Sequence, residues 1–327
     1  MVHNLAESNG RTAMMYAGQV PWHRLGTKLE NPATAEEAIV AAGLGYDVTL
    51  ADLQTTENIY VPFRKAVIRT DNSAVLGVVG KGYQPIQNKE CFGFLDSVVA
   101  DGGLRYHTAG ALGKGERIWL LAKLPDQIRI KESEDVTDKY LLLSNSHDGT
   151  SSLRVFFTPI RVVCQNTLNL ADRRGTGQGI SIMHKGDLAT KVEEAREVLG
   201  LARRFFDDFE VKADILAHTY PTSAQVELYF KNLFPDPEQA DPSRAQSTRE
   251  ELTRLFEEGM GQQIPEIRHT MWAALNAVTE YVDHHRSTRG RTDGDRAGRR
   301  LASAWFGTGA KMKHRGLSLA VDFAVSS

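Results

Sequence analysis

Short apolar, β-rich runs separated by polar turn residues recur through residues 46–160, the pattern of successive strands. Runs at 46–50, 59–63, 66–70 and 75–80 read as strands, with Asp71-Asn72-Ser73 as a turn before the last. Further strands are expected at 104–109 and 117–124, joined by a loop over 110–115. Two β-rich runs then flank Asn145-Ser146-His147-Asp148-Gly149-Thr150, which reads as a hairpin with a tip rich in hydrogen-bonding groups. Two helices interrupt this half. Thr34 with Glu37 three residues on forms a capping box that opens a helix over 35–42, and Gly43 closes it. A second helix starts at Asn88, with Phe92, Leu95, Val98 and Val99 on one face, and stops at Asp101-Gly102-Gly103. Residues 1–30 read as irregular, with Pro21-Trp22-His23-Arg24-Leu25-Gly26 as an ordered patch.

Beyond Arg161 the pattern changes to that of a helix. Val192, Ala195, Val198, Leu199, Ala202, Phe205, Phe206 and Phe209 make one stripe over 188–210. Helices follow over 223–233, 246–258, 265–284, 299–306 and 317–325, with a Pro-rich loop at 234–244. The pattern predicts an α+β fold: a largely antiparallel sheet domain over 1–170, packed with a helical region over 171–327. Residues 287–298 carry too few apolar groups to bury and read as mobile, within a basic segment over 286–316.

Composition changes this picture little. The chain has 327 residues, 24% of them charged, and a net charge of −2, which excludes a global polyelectrolyte argument for nucleic acid but not a local one. Its two cysteines, Cys91 and Cys164, make no disulfide framework and fit a reducing cytosol. The polar N-terminus is no signal peptide, and no apolar run approaches the ~20 residues of a membrane span. A soluble, cytoplasmic protein without membrane association is expected; homo-oligomerisation is left open.

Charge is locally concentrated. Arg286, Arg289, Arg291, Arg296, Arg299, Arg300, Lys311, Lys313 and Arg315 stand against Asp293 and Asp295; nine cations less two carboxylates leave +7, and the rest of the chain about −9. Arginines spaced by Gly and Ser can reach phosphates, and Trp305 and Phe306 could offer stacking faces. A solvated loop between two helices is the blander explanation.

A second polar concentration is Arg161, Cys164, Gln165, Asn166 and Thr167, set among apolar Val162, Val163 and Leu168. Such groups are costly unless paired, so they form a structural network or a site. Asn276, Thr279, Glu280 and Asp283 share one helical face that could bond to this cluster or hold an ion. The segment reads as a hinge between sheet and helices in which buried Arg161 pairs with Glu280 or Asp283. His147 beside Asp148 at a turn is a weak catalytic signal, since neighbours along a strand point to opposite faces. Cys164 as a nucleophile would need His147 or His184 as a base. No metal is implied: there is no Cys-x-x-Cys, and His284-His285 are adjacent. No cofactor is implied either. Gly110–Gly115 lacks the Gly-Lys-Ser/Thr of a phosphate loop, and Gly175-Thr176-Gly177-Gln178-Gly179 reads as a linker.

Five segments together resemble the phage/plasmid-like protein family, domain-of-unknown-function family 932. They are Pro21–Gly26, Gly82-Tyr83-Gln84-Pro85-Ile86-Gln87-Asn88, Asn145–Gly149, Arg161-Val162-Val163-Cys164-Gln165-Asn166-Thr167-Leu168, and the stretch from Asn276 through Asp283 to His284. The resemblance implies a mobile-element setting in a bacterial cytoplasm but no settled activity. The function expected is a phage- or plasmid-encoded accessory protein that binds nucleic acid, with single-stranded DNA favoured, in replication or recombination. The runner-up is an enzyme of unassigned reaction with its site over 145–167, and the third reading is a host-interaction or anti-defence protein.

Overall fold

The computed structural model describes residues 5–8, 10–17, 26–98, 105–163, 180–181, 188–239, 241–287 and 293–326. In chain order the strands are β1 Glu7–Ser8, β2 Arg11–Thr12, β3 Met14–Ala17, β4 Thr27–Leu29, β5 Val48–Gln54, β6 Tyr60–Arg69, β7 Val75–Gly80, β8 Arg105–Leu112, β9 Arg117–Arg129, β10 Val136–Ser146, β11 Arg154–Arg161 and β12 Ile180–Ser181. The helices are α1 Ala35–Ala41, α2 Asn88–Val98, α3 Leu188–His218, α4 Ser223–Leu233, α5 Ser243–Glu258, α6 Met271–Glu280, α7 Asp293–Phe306 and α8 Thr308–Ser326. The arrangement is α+β, as the pattern predicts, with sheets in the N-terminal half and helices in the C-terminal half.

The main sheet has seven strands in the order β12-β11-β10-β9-β8-β3-β4; all its pairings are antiparallel except β3 with β4. A separate three-stranded sheet, β5-β6-β7, is antiparallel throughout. Central β9 and β10 are apolar on both faces because both faces are covered. Leu120, Ala122, Leu141 and Leu143 join the larger core with Phe206 and Phe209 of α3 and the apolar side chains of α6. Trp119, Leu121, Tyr140 and Leu142 belong to a second core closed by Ala304 and Trp305 of α7. All ten residues of α6 are buried, which explains why its sequence is apolar nearly all round.

Local rules explain the helix starts. Thr34 accepts from the Glu37 amide while the Glu37 carboxylate accepts from the Thr34 amide, as expected. Thr222 and Gln225 form a second such box ahead of α4. Two expectations change. Residues 1–30 are not wholly irregular: they supply β1 to β4, which are too short, at two to four residues each, to show a period. The loop expected over 110–115 is shorter, because β8 continues to Leu112. Gly110 is glycine there for packing, since a Cβ would lie 2.5 Å from the Trp119 ring. Among the described residues no helix is long and apolar enough to cross a membrane.

Candidate functional site

The tip of the β10–β11 hairpin is a closed network. Asp148 Oδ1 accepts from Ser146 Oγ at 2.5 Å and from the amide and hydroxyl of Thr150 at 2.9 and 2.6 Å. Desolvation works to raise the Asp148 carboxyl, but these bonds outweigh it and hold it below the usual range. His147 is fully buried, with Nε2 2.9 Å from Asn88 Oδ1. The Asn88 amide nitrogen donates to the carbonyls of Leu44 and Tyr46. Asn88 Oδ1 is therefore the acceptor, and His147 carries its proton on Nε2. Nδ1 of His147 is buried without a partner among the described residues. Burial pushes the imidazole down to about 4, so it is neutral near pH 7.

This network ties the small sheet to the large one. Arg69, 1% exposed, lies 3.7 Å over the Tyr46 ring, bonds both oxygens of Asp71 at 2.9 and 2.6 Å, and donates to the Lys114 carbonyl at 2.7 Å. Tyr46 donates to the Gly115 carbonyl at 2.8 Å. The segment Gly82–Asn88 has a similar job. Gln87 bonds both the N–H and the C=O of Val48 through its side-chain amide, acting as a stub of strand on the β5 edge. The polar richness of the hairpin tip is thus explained by buried pairing.

The second concentration sits at the other end of the hairpin. Arg161 Nε donates to Asp135 Oδ1 at 2.6 Å, and the guanidinium donates to the carbonyls of Met260 and Gly261 at 3.1 and 3.0 Å. Trp272 Nε1 donates to the other Asp135 oxygen at 2.8 Å. The expected carboxylate was Glu280 or Asp283; the structure corrects it to Asp135. The β10–β11 register sets Thr137 opposite Arg161, and so brings the segment just before β10 to the guanidinium. Glu280 instead accepts from the Met260 amide at 3.0 Å and lies 3.7 Å from His285 Nε2; burial raises its carboxyl above the ordinary range. Asp283 accepts from Lys313 at 2.7 Å. Cys164, Gln165, Asn166 and Thr167 fall outside the described residues, as does the Pro21–Leu25 patch.

Arg161, Thr137, Asn276 and Thr279 do meet, around a cavity of about 20 Å³, room for a single water. Thr137 Oγ1 is buried without a partner among the described residues. Asn276 and Thr279 also bond carbonyls of their own helix. Among the described residues no three His, Cys, Asp or Glu side chains come together as metal ligands would. Arg161 lies opposite Thr137, ten residues before His147 along the same strand direction, so the two stand roughly 33 Å apart. Both are buried and bonded, and they share no cleft.

The basic tract departs most from its expected form. Much of the segment read as mobile is helix, α7 and α8; Arg289 and Arg291 lie outside the described residues. Lys313 is 0% exposed and held by Asp283, so it cannot meet a phosphate. Trp305 is buried edge-on against Trp119, with centroids 6.0 Å apart, and is no stacking face. Phe306 packs on Phe156, and the Arg117 guanidinium lies 5.9 Å over it. The remaining cations stay at or near the surface: Arg299, Lys311 and Arg315 are exposed, and Arg286, Arg296 and Arg300 half-buried. Arg300 donates to the His284 carbonyl and Arg315 to that of Asn232.

Sequence reasoning missed one cluster, on the face of the large sheet that carries α7. Tyr140 Oη is 3.1 Å from His107 Nδ1, and Asp138 receives Lys123 at 2.7 Å and the Gln127 amide at 2.7 Å. Burial, with Lys123 nearby, lowers the His107 imidazole. These residues come from three strands, and only the ladder register brings them together.

The comparisons with known proteins agree on kinship and are silent on activity. The UPF0380 protein YafZ of Escherichia coli (strain K12) is 33% identical over 140 residues, 42% of this chain and 41% of that protein. The UPF0380 protein YfjQ of the same organism is 37% identical over 93 residues, 27% of this chain and 32% of that one. The chain thus spans less than half the length of these relatives. No solved structure matches. The family model described as a domain of unknown function, DUF932, matches residues 75–305, well over half of the sequence, and the chain belongs to that family.

Proposed function

We propose that the protein is a nucleic-acid-binding accessory factor of a phage or plasmid, acting on single-stranded DNA in replication or recombination. The observation that supports this reading is the cationic surface of α7 and α8. Six basic residues of the tract remain exposed or half-buried on or beside these helices, while the one that is fully buried, Lys313, has its own carboxylate. Helices hold these charges at fixed spacing, which suits a phosphate backbone better than a solvated loop does. The enzyme alternative loses ground, because His147 and Arg161 are buried at opposite ends of one hairpin.

Fluorescence anisotropy with labelled single- and double-stranded oligonucleotides at two salt concentrations tests the proposal. Affinity should fall steeply with salt and favour the single strand. Replacing Arg299, Lys311 and Arg315 by Gln should flatten the salt dependence by about two in log–log slope, at ~0.7 for each phosphate of a single strand that is no longer neutralised. No binding at low salt removes the proposal.

A further inference from the structure

The β5–β6 hairpin and the neighbouring β7 carry a group of apolar side chains in solvent: Ile59, Tyr60, Phe63, Val75 and Val78 are 63, 53, 66, 47 and 52% exposed. Phe63 is the unusual member. Its φ is +63°, a left-handed backbone that bulky side chains avoid, and its ring gains no burial there. A strained backbone that presents an aromatic ring to water is kept for something other than stability. Cations surround it. Lys81 Nζ lies 4.9 Å over the Phe63 ring, Arg64 and Lys81 are exposed, and Lys65 reaches Asp52 at 2.6 Å. The acids of this hairpin are Asp52, held by Lys65, and Glu57 at the turn, bonded to Thr56. Among the described residues neither Arg64 nor Lys81 has a carboxylate partner, and Lys81 lies against the Phe63 ring.

We infer that this hairpin is a stacking finger for single-stranded nucleic acid, in which Tyr60 and Phe63 take bases and Arg64 and Lys81 take phosphates. The inference rests on the nucleic-acid reading above and supplies the aromatic faces that Trp305 and Phe306, packed on the large sheet, do not. Tyr60 and Phe63 lie in a bulged stretch of β6, where the five steps from Tyr60 to Lys65 face only the two from Gln54 to Asp52 on β5, so along the strand they are within roughly 7 Å of each other, about two stacked nucleotides. Aromatic faces with flanking cations bind single strands with little regard to sequence. A duplex hides its base faces, so the finger discriminates against it.

Phe63→Gly is the informative variant, because glycine accepts the left-handed backbone and folding is retained. Tyr60→Ser is its partner. Each is measured as the full chain for melting temperature, for anisotropy with a labelled oligothymidylate, and for sedimentation. The expected result is a Phe63→Gly protein that melts at or above the parent temperature but binds the oligonucleotide at least about fivefold more weakly, with the double variant weaker still. If both variants bind within twofold of the parent while the Arg299/Lys311/Arg315 variant is impaired, the finger is overturned and the cationic helices stand. If the variants change the sedimentation coefficient but not the affinity, the patch joins copies of the chain and the finger is likewise overturned. A parent protein that binds no oligonucleotide at low salt removes both readings.

Discussion

Arg161 and Asp135 form an ion pair at 2.6 Å with side chains only 2 and 0% exposed, and they do so 26 positions apart in sequence. The pair is fully equipped: the guanidinium also reaches two carbonyls, and the second carboxylate oxygen takes the Trp272 indole N–H. It fastens the open end of the β10–β11 hairpin to the Met260–Gly261 turn and to α6. Removing one member strands the other. Arg161→Ala or Asp135→Ala should each cost ~3–5 kcal/mol in urea unfolding. A variant that keeps its stability but loses oligonucleotide binding would make the pair part of the functional surface.

His147 gives the fold a pH dependence of known sign. Burial lowers its imidazole from an ordinary 6.5 to about 4 in the native state. Between those values the unfolded chain binds a proton that the native state does not, so stability is lost as the pH is lowered through that window. The full loss is roughly 3 kcal/mol, complete only near pH 4. Urea unfolding at pH 7.5 and pH 5, for the parent and for His147→Gln, checks this: the variant should lose less between the two conditions.

Gly115 should be intolerant of any side chain. Its φ is +104°, and a Cβ would fall 2.6 Å from an Arg69 guanidinium nitrogen and 2.8 Å from the Tyr46 hydroxyl. Gly115→Ala should therefore lose more than ~1 kcal/mol. The loss should be local in character, because Arg69 and Tyr46 tie the small sheet to the β8–β9 turn. Hydrogen exchange should quicken across β5 to β7 while α6 stays protected.

What the sequence disclosed follows from distance along the chain. The Thr34–Glu37 cap and the bounds of α4 are local, decided within one helical turn, and were legible. The hairpin 136–161 was legible because its strands are long and joined by a short polar turn. The partner of Arg161 was not, since Asp135 becomes a neighbour only once the register is fixed. The His107–Tyr140 contact depends in the same way on three strands at once. The burial of Lys313 did leave a signal. Ala310, Lys313, Leu317 and Ala320 recur at helical spacing and are all buried, so the lysine stands on the apolar stripe of α8 rather than among the surface cations.

That position makes a sharp test of the basic tract. Lys313 and Asp283 are 0 and 6% exposed at the side chain and 2.7 Å apart. Burial lowers the ammonium and Asp283 pulls it back up. Lys313→Met should cost ~3–5 kcal/mol, because it leaves Asp283 buried without its cation. Lys313→Met with Asp283→Leu removes both charges and should regain most of that loss, since an apolar pair of similar volume is often as stable as the ions it replaces. Such a double variant carries the same net charge as the parent. If the phosphate-binding surface is the exposed set of Arg299, Lys311 and Arg315, its oligonucleotide affinity and salt slope should equal the parent's. A double variant that folds as well as the parent but has lost affinity would put Lys313 back among the ligand contacts and contradict its burial.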